Sequence, residues 1–190
     1  MIFYGVMLNI REISLQEAMN EKGISEINNP KLVIDLSKHR VFLYNGSSFV
    51  KSYKASFGRG GLNKKLGQTD YITPIGKYEI CSIDTVHKFY KFLEMSYPNV
   101  NDATEALREG YITTEEFNYI TNASKNDESI ESKKNFFTKL GIHGIGEYNF
   151  IFKNLPFVFD WTNGSVAVSN ENVDEILSVV SVGTTIEIKK

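Results

Sequence analysis

The chain has 190 residues, of which 42% are hydrophobic and 13% aromatic, enough to build the core of one globular domain. Lys and Arg number 21 against 23 Asp and Glu, and a net charge of −2 provides no basic surface for nucleic acid or an anionic membrane. Cys81 is the only cysteine, which excludes an internal disulfide and a cysteine-based zinc cluster.

Residues 1–30 are interpreted as an N-terminal extension with a short strand and a helix. MIFYGVMLNI has no basic n-region and no small-residue cleavage site, so it reads as a strand or a trimmed remnant with no visible signal peptide. It is far shorter than the roughly 20 apolar residues of a membrane span. Ser14 precedes Glu17 in capping-box spacing, and Gly23 follows, which predicts a helix within residues 14–27.

Strand patterns follow from residue 31. KLVIDLS alternates so that its leucines and isoleucine share one face, and RVFLY runs into Asn45-Gly46, a strong hairpin signal. The return strand is predicted over residues 49–57, and KYEICSI is a later strand. Between them, residues 57–76 form a glycine-rich loop without the GxxxxGK[ST] phosphate pattern, so a flexible loop over a sheet is favoured.

Helical patterns occupy the middle and the end of the chain. Residues 101–140 are predicted to be a helical insertion or lid, because Thr113 precedes Glu116 in capping spacing and SKNDESIESKKNFF has the mixed charges of a solvated face. Ser169 or Asn170 caps a C-terminal helix with an amphipathic stripe, and TTIEIK is a last strand. Residues 31–190 are therefore predicted to form one α+β domain that is mainly β.

Two local features bear chemistry. Among the three histidines, His39 and His87 have polar neighbours and are predicted to lie on the surface, with no metal-ligand spacing. His143 lies in the apolar stretch GIHGIG, where a buried imidazole must find a hydrogen-bond partner. The turn TNGS presents Ser165 before a strand-like VAV, a geometry that exposes a nucleophile and supplies backbone N–H groups to an oxyanion. Each feature alone also fits a structural role.

Together these residues resemble the L,D-transpeptidase catalytic domain, or YkuD domain. The signature of that family is a His-Gly pair followed about twenty residues later by [S/T]-x-G-C; His143-Gly144 and Thr162-Asn163-Gly164 match it, and Ser165 takes the cysteine position. LVIDLSKHRVFLY, GQTDYITPIG and VGTTIEI resemble further family segments. FLEMSYPN and DWTNGSVAVSNENVDEIL resemble a Gram-negative branch.

The resemblance implies an L,D-transpeptidase-like β-rich fold that acts on peptidoglycan stem peptides in the cell envelope, in the periplasm or outside the cell. It implies acyl transfer to an amine, including that of a lipoprotein, or to water, as in an L,D-carboxypeptidase or amidase. No metal or other cofactor is needed. The implied roles are a nucleophile at Ser165, a base at His143, a ring-orienting carbonyl at Gly144, and oxyanion amides at Gly164 and residue 165. Trp161, Thr162, Asn163 and Tyr97 are the implied substrate contacts.

Ser165 departs from the family pattern. A thiol with a pKa of about 8.5 ionises readily, whereas an alcohol needs a well-oriented general base throughout the attack, so little or no turnover is expected. Cys81 does not replace it, because YEICSI reads as a buried strand without a glycine turn.

Three explanations of Ser165 remain open. An engineered, isosteric replacement that inactivates the enzyme is ranked first, followed by a natural pseudoenzyme and then a working serine enzyme. A reading from another class is a non-catalytic peptidoglycan-recognition module that retains His143 for packing.

Overall fold

The computed structural model describes residues 12–125, 138–148 and 159–190. The expectations for the opening decapeptide, for the charged run around residues 126–137 and for most of the aromatic run after residue 148 lie outside the described residues.

Eight strands are described, and they form one mixed sheet. They are β1 (Pro30–Asp35), β2 (Arg40–Asn45), β3 (Ser48–Lys54), β4 (Gly76–His87), β5 (Tyr90–Met95), β6 (Gly141–His143), β7 (Val166–Ala167) and β8 (Thr185–Lys189). The strand order is β3-β2-β1-β8-β4-β5-β6-β7. The pairs β1–β8 and β6–β7 are parallel, whereas the other neighbours are antiparallel.

The two ends of this sheet approach each other. Ser56, just beyond β3, forms an antiparallel bridge to Ala167 of β7, with N···O distances of 3.0 and 2.9 Å. Gly58 bridges Thr162 in a parallel sense. The sheet therefore curls until its first and last strands are joined, which brings residues 56–58 beside the turn that contains Ser165.

Four α-helices are described: α1 (Leu15–Glu21), α2 (Val100–Arg108), α3 (Thr114–Lys125) and α4 (Asn170–Leu177). The predicted caps are confirmed at α1, where Ser14 and Glu17 form a capping box, and at α3, where the Thr113 hydroxyl accepts from the Glu116 N–H. Ser169 caps α4 by accepting from the Asn172 N–H at 3.1 Å. The prediction of an α+β protein with a C-terminal helix is confirmed.

The core lies between the inner face of the curled sheet and helices α1 and α4. Its predicted strand residues Leu32, Ile34 and Leu36 are all at most 2% exposed. Helix α1 contributes Leu15 and Met19 to the same cluster. The first helix of the predicted extension therefore packs as part of the main hydrophobic core.

Helices α2 and α3 form a separate small cluster built on Ala103, Ala106, Ile112 and Ile120. They contact the loop after β3, through Lys64 bonded to Glu105 at 2.5 Å, and strand β4, through Tyr78 bonded to Asp102 at 3.1 Å. Of the described part of the predicted lid, only Thr138, Lys139 and Leu140 line the cleft described below.

The glycine-rich loop is tightly packed where it meets the site. A Cβ on Gly58 would lie 2.1 Å from the Tyr71 carbonyl oxygen and 3.0 Å from the Gly164 Cα. A Cβ on Gly60 would lie 1.9 Å from the Asp70 carbonyl oxygen. These glycines permit close backbone approach, a role that the expectation of a flexible loop did not include.

Within the described ranges, no helix has the length and apolar character of a membrane span, and no group of His, Cys, Asp and Glu side chains has the arrangement of a metal site.

Candidate active site

A cleft of about 520 Å³ lies over the outer face of strands β4 to β7. The pairing register of the strands determines which residues line the bottom of the cleft, because residues two apart on a strand share a face. Residues that pair across neighbouring strands form two rows. The first row consists of Asp84, Phe92, His143 and Ala167, one from each of the four strands. The second row, two residues along, consists of Ser82, Glu94 and Gly141. Ser165 extends this second row, since its Oγ accepts from the Gly141 N–H at 3.3 Å. His143 and Ser165 thus lie on adjacent strands and face one cleft.

His143 is buried, with 3% of its surface exposed. Its Nδ1 is 2.6 Å from the Gly144 carbonyl oxygen, and because a carbonyl only accepts, Nδ1 carries the proton. Nε2 is therefore the basic nitrogen. Burial is the main cause that lowers the pKa of His143 from its ordinary value to about 4; the Gly144 hydrogen bond opposes this shift, and the nearby Lys88 adds to it. The imidazole is neutral near pH 7.

Aromatic rings hold this imidazole in place. Phe89 stacks on His143 at 4.8 Å between centroids, and Trp161 meets the ring edge-on at 5.9 Å. His87 lies 4.9 Å from the Phe92 ring and lines the same cleft. His87 is half-buried, because the β4–β5 hairpin folds it against the aromatic wall of the cleft. His39 is exposed, as predicted.

The turn of residues 162–165 is held together by the hydroxyl of Thr162. This hydroxyl donates to the Ser165 carbonyl oxygen at 2.6 Å and accepts from the Gly164 N–H at 3.2 Å. Gly164 has a φ of +118°, a conformation that favours glycine, and a Cβ there would lie 2.7 Å from the Ile72 carbonyl oxygen. The Gly164 amide expected to serve an oxyanion is thus already bonded within the turn.

Asp160 anchors the start of this turn, and the sequence assigned it no role. Its Oδ1 accepts from the Phe57 N–H at 2.8 Å, and its Oδ2 lies 3.3 Å from His39 Nε2. The Ser56 hydroxyl donates to the neighbouring Phe159 carbonyl oxygen at 2.5 Å. No spacing rule predicts this anchor, because its partners are a hundred residues distant in the chain.

The expected substrate contacts separate into two groups. Trp161, Thr162 and Asn163 line the cleft with His143 and Ser165. Tyr97 does not: it is 8% exposed, packs edge-on against Tyr78 at 6.1 Å and lies in the main core. Burial raises the pKa of Tyr97 well above its ordinary value. Tyr97 is therefore corrected from a substrate contact to a core residue.

The cleft also has a charged side. Lys139 Nζ lies 3.0 Å from Glu94 Oε2, and Lys88 Nζ lies 4.9 Å from the centre of the Phe89 ring. Glu94, Lys139, Lys88 and Asp84 all line the cleft. Its polar groups can therefore meet both charges of a zwitterionic ligand, while its aromatic wall excludes water from His143.

Comparison with known proteins adds a family match. The model of YkuD, the L,D-transpeptidase catalytic domain, matches residues 29–188. No curated protein sequence matches the chain.

Solved structures share the fold. Bd1075 of Bdellovibrio bacteriovorus aligns over 94% of this chain and 51% of its own, with 16% identity and a TM-score of 0.53. The helical cell shape determining protein Pgp2 of Campylobacter jejuni aligns over 93% of this chain and 55% of its own, with 15% identity and a TM-score of 0.53. The chain thus spans about half the length of these two structures.

Proposed function

Because the chain belongs to the L,D-transpeptidase catalytic domain family, whose members modify peptidoglycan, we propose that its cleft binds a stem peptide at an acyl-transfer site with Ser165 in the nucleophile position. The observation that carries this proposal is the pairing of β6 with β7. It sets the buried His143 and the turn residue Ser165 on one face of adjacent strands.

In the reaction of a cysteine at position 165, the thiol proton passes to His143 Nε2 and the sulfur attacks the carbonyl carbon of an L-centre. The C–N bond to the terminal D-residue then breaks, and the imidazolium protonates the leaving amine. A second amine or water takes the acyl group and releases the cysteine. The backbone amides of Gly164 and residue 165 are the proposed oxyanion donors. To donate to the oxyanion, the Gly164 N–H would have to give up its hydrogen bond to the Thr162 hydroxyl.

Ser165 makes this step slow. An imidazole with a pKa near 4 is a weak base for an alcohol, which must lose its proton as it attacks. The family's thiol ionises far more easily, so the same imidazole suffices for it. We therefore propose that the chain with Ser165 binds stem peptides and turns over little.

The substrate contacts proposed from the cleft are Trp161 and Asn163. Trp161 lines the cleft and meets the His143 ring edge-on at 5.9 Å between centroids. Asn163 is exposed at the cleft margin. Thr162 acts on the turn, since its hydroxyl is already bonded on both sides.

The proposal extends to the identity of the substrate and to the location of the protein. The attacked residue is L-diaminopimelate next to D-alanine, and the acyl acceptor is an amine, including that of a lipoprotein, or water. The protein works in the cell envelope or periplasm, or outside the cell, and belongs to a Gram-negative branch.

The test is Ser165→Cys. On a muropeptide ending in L-diaminopimelate and D-alanine, D-alanine release should rise at least about 10²-fold over the parent, because only the ionisable atom is missing. Intact mass should show a carbapenem adduct. Ser82→Cys is the matched control, since it places a thiol in the same cleft without the glycine turn. Cys81 supplies only background, because burial and then Glu94 raise the pKa of its thiol.

Two outcomes would contradict this proposal. If Ser165→Cys forms no adduct and releases no D-alanine while the parent binds the peptide, the protein is a recognition module. If the parent already turns over and His143→Ala abolishes the rate, Ser165 is itself a working nucleophile.

A further inference from the structure

We propose that Asn170 is the positioning residue for the reacting imidazole, acting through the peptide group between Gly144 and Ile145. This inference rests on the proposed function for its catalytic consequence, but its structural part stands without it. Asn170 is the first residue of α4, and its side chain reaches back across the loop that follows His143.

Three hydrogen bonds tie Asn170 to that loop. Its Oδ1 accepts from the Ile145 N–H at 3.0 Å and from the Gly146 N–H at 3.1 Å. Its Nδ2 donates to the Gly146 carbonyl oxygen at 2.9 Å. One amide side chain thus bonds three buried backbone groups at the start of the short 3₁₀ turn that begins at Gly146.

The planarity of the peptide bond carries the effect to His143. The Ile145 N–H and the Gly144 C=O belong to one rigid plane and point in opposite directions. When Asn170 fixes the N–H, it also fixes the direction of the C=O, whose oxygen lies 2.6 Å from His143 Nδ1. That bond sets the tautomer in which Nε2 is the base.

The glycine of the His-Gly pair is explained by the same contact. A Cβ on Gly144 would lie 2.5 Å from Asn170 Oδ1 and 2.9 Å from the Phe89 carbonyl oxygen. Any side chain at position 144 would displace either the Asn170 amide or the β4–β5 hairpin. Gly144 is therefore the residue that allows Asn170 to approach the loop.

Helix α4 gives Asn170 a rigid base. Val173 and Ile176 are fully buried beneath it, and Ser169 caps its first turn. Asp174 bonds Lys91 Nζ at 2.5 Å and Tyr90 Oη at 2.9 Å, which fixes the helix to β5. The Lys91 carbonyl oxygen in turn accepts from the Gly144 N–H at 3.3 Å. The loop is held from both sides.

The experiment compares Asn170→Ala and Asn170→Asp, each in the Ser165→Cys protein. In the alanine variant, kcat for D-alanine release should fall on the order of 10²-fold with KM little changed, because the base is misoriented rather than the peptide released. Asn170→Asp keeps both accepted hydrogen bonds but loses the donation to the Gly146 carbonyl oxygen, so it should recover part of that loss. Asn172→Ala is the matched control: Asn172 lies on the same helix but bonds Glu12 at 3.0 Å instead of the loop.

An activity-independent readout accompanies the kinetics. Imidazole ¹⁵N NMR of the parent should show His143 as the Nδ1–H tautomer, with Asn170→Ala shifting it toward a mixture and Asn172→Ala leaving it unchanged. A folded Asn170→Ala protein with an unchanged tautomer overturns the positioning role. If the alanine variant fails to fold, the aspartate variant decides. The Nδ1–H tautomer retained at His143 supports the proposal, whereas loss of that tautomer in a folded aspartate variant overturns it. If Ser165→Cys shows no turnover, the proposed function fails and the NMR arm still tests Asn170.

Discussion

At the scale of single residues, the state of His143 follows from its surroundings. Phe89, Phe92 and Trp161 replace water around the ring, and the charge of Lys88 adds a smaller repulsion of the imidazolium. Both effects disfavour the imidazolium, so the imidazole that we propose as the base is neutral near pH 7. Under the proposed mechanism, the same arrangement leaves Ser165 without the strong base that an alcohol requires.

This state has a consequence for stability. The folded pKa of His143, about 4, lies below the unfolded value of about 6.5, so the unfolded chain binds more protons between those pH values. The free energy of unfolding should therefore fall as pH drops from 6.5 toward 4, by roughly 2 to 3 kcal/mol from this residue. Urea unfolding at pH 7 and 4.5 measures the loss in the parent and in His143→Gln.

The difference between the two proteins isolates His143. Asp102, whose pKa is raised to about 6 by burial, titrates in both proteins and cancels in the comparison. An identical pH dependence in parent and His143→Gln would contradict the prediction.

At the scale of elements, the site depends on two very short strands and on backbones that touch. β6 and β7 have three and two residues, too few for independent stability. Their position is secured by the bridge from Ser56 to Ala167 and by the close contact of Gly58 with Gly164.

Gly58→Ala should therefore damage both the fold and the site. Its Cβ would meet backbone atoms of Tyr71 and the Gly164 Cα, so the free energy of unfolding should fall by at least about 1 to 3 kcal/mol. Carbapenem acylation of the Ser165→Cys protein should slow as well, because Gly164 precedes the nucleophile. Denaturant unfolding and intact-mass kinetics measure the two effects.

Gly67→Ala is the control for this substitution. Gly67 has extended backbone with φ −153°, and a Cβ there would make only an ordinary contact with Tyr111 at 3.5 Å. It should change the free energy of unfolding by less than about 1 kcal/mol. Equal effects at positions 58 and 67 would show that close packing at Gly58 is unimportant.

At the scale of the whole molecule, the segment before the family match is part of one folded unit. Leu15 is 7% exposed and packs in the core cluster. Its N–H donates to Glu175 Oε1 at 3.0 Å, and Lys51 is also bonded to Glu175. Helices α1 and α4 and strand β3 are thus joined around one carboxylate.

Leu15→Ala should lower the free energy of unfolding by about 2 to 5 kcal/mol, because it removes buried methyl groups and leaves a cavity. Gln16→Ala, at an exposed position of the same helix, should cost less than about 0.5 kcal/mol. Thermal or urea denaturation compares the two. A Leu15→Ala effect no larger than that of Gln16→Ala would mean that α1 is a detachable appendage.

Local structure and family membership can both be read from the sequence. Capping residues such as Ser14 and Thr113, the alternation of Leu32, Ile34 and Leu36, and the two halves of the signature at His143 and Gly164 all act over a few positions, so they can be read in order along the chain. The tertiary structure alone decided which distant groups meet.

It placed the half-buried His87 in the cleft and Tyr97 in the core, and it gave Asp160 and Asn170 their hydrogen-bond partners. Those placements depend on how the sheet curls and on which backbones touch. The helix and strand patterns of the sequence do not predict such contacts, because the free energy of a long-range contact depends on the whole fold rather than on neighbouring residues.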